Sequence, residues 1–263
     1  MRRLHDGGGP RRAEVERMRI LVTNDDGIHS PGLRLLAEVA SRFGEVRIVA
    51  PDLEQSSMAH AVTATRPLTQ RRHLIEGLEA YRVNGTPADC VGLGTYIWGN
   101  VDVVFSGVNL GLNVGNAMWH SGTLAAAKQA SLLGIRGIAF STPEESEDTD
   151  YRALAPHLEK VIGRLIDLPQ LALVNVNLPK QPRGVAFTRQ SVRHYHGHIE
   201  RAQDPYQRDI YWFVARPLEA AEVGTDRWAV EQSLVSITPL RLDLTDHPAL
   251  EGLLATSKQP AAE

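Results

Sequence analysis

Two adjacent carboxylates, Asp25 and Asp26, follow directly on the short run Arg19–Thr23 and Asn24, and precede Gly27. Like charges at one spot repel each other, and both repel phosphate. A hard divalent cation removes both problems, because Mg²⁺ and Mn²⁺ favour oxygen ligands. Ser56, beyond Ala50-Pro51-Asp52, and Asn109, within Ser106-Gly107-Val108-Asn109-Leu110-Gly111, offer neutral oxygens to the same ion. The plainer alternative is that the doublet caps a helix or shapes a turn. A third segment is His120-Ser121-Gly122-Thr123, which opens a small-residue helical stretch. Ser121 suits the N-cap, Gly122 allows a close backbone approach, and Thr123 adds a hydroxyl. Free N–H groups at a helix start attract oxyanions, although an ordinary capped helix has the same sequence. A cation on one side and N–H donors on the other together make a phosphoryl site.

Such loops act together only if the fold brings them to one edge. Apolar strand-like runs at Arg19–Thr23, Glu45–Ala50, Ala80–Val83, Val101–Phe105, Gly137–Ser141 and Leu171–Asn177 alternate with helical spacings at Pro31–Phe43, Thr86–Trp98, Ser121–Leu133 and Tyr151–Ile166. Buried strands alternating with helices predict an α/β fold: a doubly wound, mostly parallel, Rossmann-like sheet covered on both faces. Ligands then bind beyond the carboxyl ends of the strands, where the three polar turns fall. After residue 180 the pattern changes. Val185–Arg189, Ile210–Val214 and Leu234–Pro239 read as strands without long helices between them, and the polar stretch His194–Gln207 reads as an exposed loop or hairpin. The expected organisation is a disordered leader over 1–17 and a catalytic core over 18–180. A C-terminal β-hairpin extension over 181–247 completes the same domain and serves oligomerisation, and 248–263 is a flexible tail.

The 263 residues, 43% apolar and 22% charged, suit one large globular domain. A net charge of −3 gives no sign of a general nucleic-acid or anionic-membrane binder. No apolar run approaches the ~18 residues that span a bilayer. The single cysteine, Cys90, excludes an internal disulfide, reads as a small buried residue, and fits a cytoplasmic location. The alternating His194, His196 and His198 are better explained by an exposed hairpin than by a metal site.

Taken in order, MRILVTNDDGI (Met18–Ile28), VAPDLEQSS (Val49–Ser57), NGTPADC (Asn84–Cys90), SGVNLG (Ser106–Gly111), HSGT (His120–Thr123), FTRQS (Phe187–Ser191) and VSITPL (Val235–Leu240) resemble the SurE survival-protein family of nucleotidases. The resemblance implies a 5′-nucleotidase, a metal-dependent phosphatase that acts on nucleoside 5′- and 3′-monophosphates, with polyphosphate trimming in some members. By matching positions it implies one divalent cation per subunit, Mg²⁺ or Mn²⁺, on Asp25, Asp26, Ser56 and Asn109. Asp25 and Asp26 would be catalytic, and Asn109, Ser121, Gly122 and Thr123 would bind phosphate. It also implies a homodimer or homotetramer that exchanges the C-terminal hairpin. The chain departs from the family at Leu110, where many members carry Arg, at Ala59, where many carry Gly, and at Ser233-Leu234, where many carry Gly and an aromatic. A different class, the Mg²⁺-binding phospho-receiver switch, also pairs acids after its first strand. It needs a further aspartate at a central strand end, where this chain has Ser106 and Asn109.

Overall fold

Arg19–Thr23 forms β1, buried on both faces except at Arg19, as a central strand of a parallel sheet must be. The structure, a computed structural model, describes residues 17–144, 151–192, 195–217 and 220–256. After β1 come α1 (Pro31–Ala40), β2 (Glu45–Pro51), β3 (Gln70–Ile75), β4 (Leu78–Val83), α2 (Pro87–Trp98) and β5 (Val103–Leu110). A 3-10 turn (Gly115–Trp119) leads to α3 (Gly122–Leu132), β6 (Arg136–Thr142), α4 (Ala155–Ile166) and β7 (Leu173–Asn177). The chain continues with β8 (Gly184–Phe187), β9 (Tyr195–Gln203), β10 (Asp209–Pro217), α5 (Asp226–Glu231), β11 (Leu234–Leu240) and α6 (His247–Thr256).

Nine strands make one sheet in the order β3-β4-β2-β1-β5-β6-β7-β11-β8. From β4 to β7 every neighbouring pair is parallel; β3 joins β4, and β11 joins β7, in antiparallel sense. One face packs on α1 and α4 through Leu33, Leu36, Leu158 and Ile162, and the other packs on α2 and α3 through Val91, Ala126 and Ala130. Local signals set the helix starts. Pro31 and Pro87 stand at first turns, Ser30 and Ser121 cap α1 and α3, and Thr86 with Asp89 makes a reciprocal capping box on α2.

The core strands lie where the apolar runs predict them. β5 runs to Leu110 instead of ending near Phe105, because a bulge between Ser106 and Asn109 absorbs what reads as a turn. β3 was not expected: QRRHLI is too polar for a core strand, and it lies at the sheet edge. His194–Gln207 belongs to a hairpin, since β9 and β10 pair antiparallel along their full length as a separate two-stranded sheet; His194 itself lies outside the described residues. The first part of the stretch expected to be a flexible tail, 248–263, lies in α6 (His247–Thr256), which buries none of its side chains. Cys90 is fully buried, and that burial pushes its thiol above the usual range.

A buried acid ties the late part of the chain to the core. Asp226 accepts the backbone N–H groups of Gly115 at 2.8 Å, Ser191 at 3.0 Å and Arg227 at 2.8 Å. Removing it strands buried donors, each worth about 1–3 kcal/mol. Asp226→Ala is therefore expected to lower stability by about 3 kcal/mol or more, read from the urea midpoint at unchanged slope.

Candidate active site

The carboxyl ends of β1 and β5, the loop after β2 and the start of α3 meet at a cleft of about 910 Å³. Its walls include Asp25, Asp26, Glu54, Ser56, Asn109 and Ser121, so five of the seven residues singled out in the sequence share one space. Leu110, Leu112, Ala117 and Phe213 add apolar surface to the same cleft. Phe213 reaches the cleft from the hairpin.

The remaining two residues, Gly122 and Thr123, are buried and stand behind Asp25. The Thr123 hydroxyl donates to Asp25 Oδ1 at 2.7 Å, and the Thr123 backbone N–H donates to the same carboxylate. The anion that the Thr123 amide and hydroxyl hold here is thus a side chain of the protein, Asp25. Gly122 is required by contact: a Cβ there would lie 2.8 Å from Asp25 Cβ. Ser121 does what its sequence position predicts, accepting the Leu124 N–H at 3.0 Å while lining the cleft.

A chain of buried amides stands behind Thr123. Asn113 Nδ2 donates to Thr123 Oγ1 at 3.3 Å and to Ser141 Oγ at 2.9 Å. The Asn113 N–H donates to Asn177 Oδ1 at 2.9 Å, and the Asn113 carbonyl accepts from Asn175 Nδ2 at 2.7 Å and Asn177 Nδ2 at 3.1 Å. Strands β6 and β7 therefore hold Asn113, which steadies Thr123 and through it Asp25. Buried hydrogen bonds of this kind restrain the groups they join, although Asn175 Oδ1 is buried without a partner. Asn113 and Glu54 were not among the candidates read from the sequence, although each sits inside or beside a quoted motif, and His120, named there only as part of HSGT, also lines the cleft.

Asp26 is half-buried, and its Oδ2 is shielded from solvent without a hydrogen-bond partner. Burial first, then the charges of Asp25 and Glu54, push its carboxyl up to about 7. Burial also raises Asp25. Asn109 donates its Nδ2 to the Gly111 carbonyl at 2.7 Å, which leaves its Oδ1 to another partner, and the Ser56 hydroxyl donates to Glu54 Oε1 at 2.7 Å. Among the described residues no three His, Cys, Asp or Glu side chains form a metal cluster. A cation here would rely on two carboxylates and neutral oxygens. Two raised carboxyls, an orphaned carboxylate oxygen and a free amide oxygen fit a hard ion.

The raised pair links stability to pH. Between about pH 4 and pH 7 the folded chain binds more protons than the unfolded chain, so stability falls as pH rises through that window. For Asp26 alone, the rise from 3.8 to about 7 sets a ceiling of about 4 kcal/mol. Melts in EDTA are expected to give a higher Tm near pH 5 than near pH 7.5, with added Mn²⁺ raising only the second. Equal Tm values across the window contradict the assignment.

A mostly parallel α/β sheet with paired carboxylates at the carboxyl edge of its first strand places the chain among the Rossmann-like α/β proteins. The family described as survival protein SurE matches residues 20–197. A protein named 5′-nucleotidase SurE 1 from Thermus thermophilus is 44% identical over 243 residues, covering 90% of this chain and 96% of its own. A 5′-nucleotidase SurE from Deinococcus radiodurans is 39% identical over 249 residues, covering 91% and 93%. The crystal structure of a SurE protein from Aquifex aeolicus superposes with a TM-score of 0.77 at 35% identity, covering 90% of this chain and 98% of that one. The chain belongs to the SurE survival-protein family.

Proposed function

We propose that this chain is a 5′-nucleotidase that hydrolyses nucleoside 5′- and 3′-monophosphates to nucleoside and phosphate, with exopolyphosphatase activity besides. The observation that carries the reading is the Asp25–Asp26 pair, raised and with one orphaned oxygen, in a cleft that apolar side chains also line. The acids suit a cation with a phosphate, and Leu110, Leu112 and Phe213 suit a base. Asp25, Asp26, Ser56 and Asn109 would hold one Mg²⁺ or Mn²⁺ per subunit. When bound, such an ion supplies charge neutralisation and Lewis-acid polarisation of a phosphate oxygen.

The protein's own groups do the rest. Thr123 fixes Asp25, so the carboxylate does not reorganise when substrate arrives. Asp26, beside Asp25 in the cleft, would orient an attacking water and accept its proton. Ser121 and Asn109 offer polar contacts to the phosphate.

The residues also support assembly. The hairpin exposes Ile199, Tyr211, Trp212 and Phe213, and α6 exposes Leu250, Leu253 and Leu254. These surfaces favour a homodimer or homotetramer, with 18–180 as catalytic core and 181–247 as the extension that joins subunits. Among the described residues no helix is long and apolar enough to cross a membrane. A cytoplasmic location agrees with the lone buried thiol.

Phosphate release from a panel of nucleoside monophosphates tests the function. Activity is expected to vanish in EDTA and to return with Mn²⁺ or Mg²⁺. Release that ignores chelation, or none from any nucleotide, overturns the proposal.

A further inference from the structure

Strand β4 carries Arg82 directly opposite Arg71 of β3, in antiparallel register. Like charges facing each other across such a pair destabilise it, and a nearby acid ordinarily offsets the cost. The neighbouring arginines follow that pattern: Arg34 pairs with Glu76 at 3.3 Å and Arg47 with Glu79 at 2.7 Å. Arg71 and Arg82 have no ion pair and no side-chain hydrogen bond among the described residues. Charge on an outer strand guards against edge-to-edge pairing, which accounts for Arg71. That reason does not reach Arg82, because β4 is an inner strand and Arg82 is half-buried.

Arg71 and Arg82 line a separate cavity of about 400 Å³ with Asp52, Thr69 and Asn84. Asn84 is set rigidly: its Oδ1 accepts the Thr69 N–H at 2.8 Å, and its backbone N–H donates to the Thr69 carbonyl at 3.3 Å. Its Nδ2 is thereby left to donate elsewhere. Asp52 is anchored through its N–H on the Val83 carbonyl at 2.8 Å, yet its carboxylate pairs with neither arginine. The cavity therefore collects two arginines without an acidic partner, an amide donor, a hydroxyl and one carboxylate. Asn84 belongs to a sequence motif that the catalytic cleft does not use, and none of the five residues lines that cleft.

We propose that this cavity is a second binding site, for a phosphoryl oxyanion: orthophosphate, or the phosphate of a small hydroxyl-bearing ester. Two guanidinium forks match phosphate oxygens, and charge-assisted hydrogen bonds are the strong ones. The carboxylate of Asp52 accepts a hydroxyl, from the ester or from a protonated phosphate. The loop that starts at Asp52 carries Glu54 and Ser56 into the catalytic cleft, so an occupant of this cavity touches the chain that shapes the other site. The proposal does not depend on the nucleotidase reading.

Calorimetric titration of the metal-free, full-length protein in EDTA tests it, with inorganic phosphate and glycerol phosphate as probes. Saturable, salt-sensitive binding is expected. Arg71→Gln and Arg82→Gln are each expected to weaken it about tenfold or more, with unchanged circular dichroism, whereas Asp25→Asn leaves it intact. Tighter binding of glycerol phosphate that Asp52→Ala erases identifies the ester as the ligand, and equal affinity identifies orthophosphate. Absence of saturable binding by either probe, or binding that survives both arginine substitutions, overturns the site.

Discussion

Asp25→Asn is expected to lower turnover by about a thousandfold or more while the protein stays folded. The substitution keeps the shape and retains an oxygen for the Thr123 hydroxyl at the Oδ1 position. It removes a buried charge that burial already disfavours, so the metal-free variant should melt no lower than the parent. What it loses is half of the paired charge that would hold a cation, and with it several kcal/mol of stabilisation where charge develops on the phosphate. The decisive pattern combines two measurements. Turnover collapses at saturating nucleotide, and added Mn²⁺ no longer raises the Tm. A folded Asp25→Asn protein with near-parental turnover removes Asp25 from the chemistry.

Gly122→Ala is expected to separate stability from activity. Alanine favours a helix over glycine by up to about 1 kcal/mol, and Gly122 begins α3 with no left-handed backbone to protect. On propensity alone the variant should melt at or above the parent temperature. Its new methyl group would nevertheless lie 2.8 Å from Asp25 Cβ and 2.9 Å from Asp25 Oδ2, closer than such atoms approach. Either Asp25 or the first turn of α3 must shift. A displacement near 1 Å in a catalytic group costs about a hundredfold in rate. Gly92→Ala is the control, since Gly92 lies within α2 and a Cβ there meets nothing within 4 Å. The control should keep full turnover. Parental turnover in Gly122→Ala means that the position of Asp25 does not set the rate.

Much of this site is legible in residue type and order. Asp25 and Asp26 declare themselves because two acids at a strand end need an explanation, and the strand is readable from RILVT alone. Ser56 and Asn109 follow once a parallel sheet is accepted, because its strand ends share one edge. The partner of Thr123 was not legible. A helix start attracts some anion, but only three-dimensional packing decides that Asp25 fills the place. Asn113, Asn175 and Asn177 escaped for the same reason, being buried amides whose partners are distant in sequence. Phe213 could not be placed in the cleft without knowing where the hairpin lies. At the periphery, β3 hid behind its arginines, and α5 is too short for helical periodicity to show.

The insertion of β11 between β7 and β8 has a consequence for biosynthesis. While the polypeptide is still leaving the ribosome, β7 is complete but its flank is open, because the segment that closes it is translated last of all the strands. An open, apolar strand flank is a template for unwanted association between nascent chains. Premature termination ahead of Leu234 would leave that flank permanently uncovered, and such fragments should be found in inclusion bodies even though every residue of the catalytic cleft has already been made.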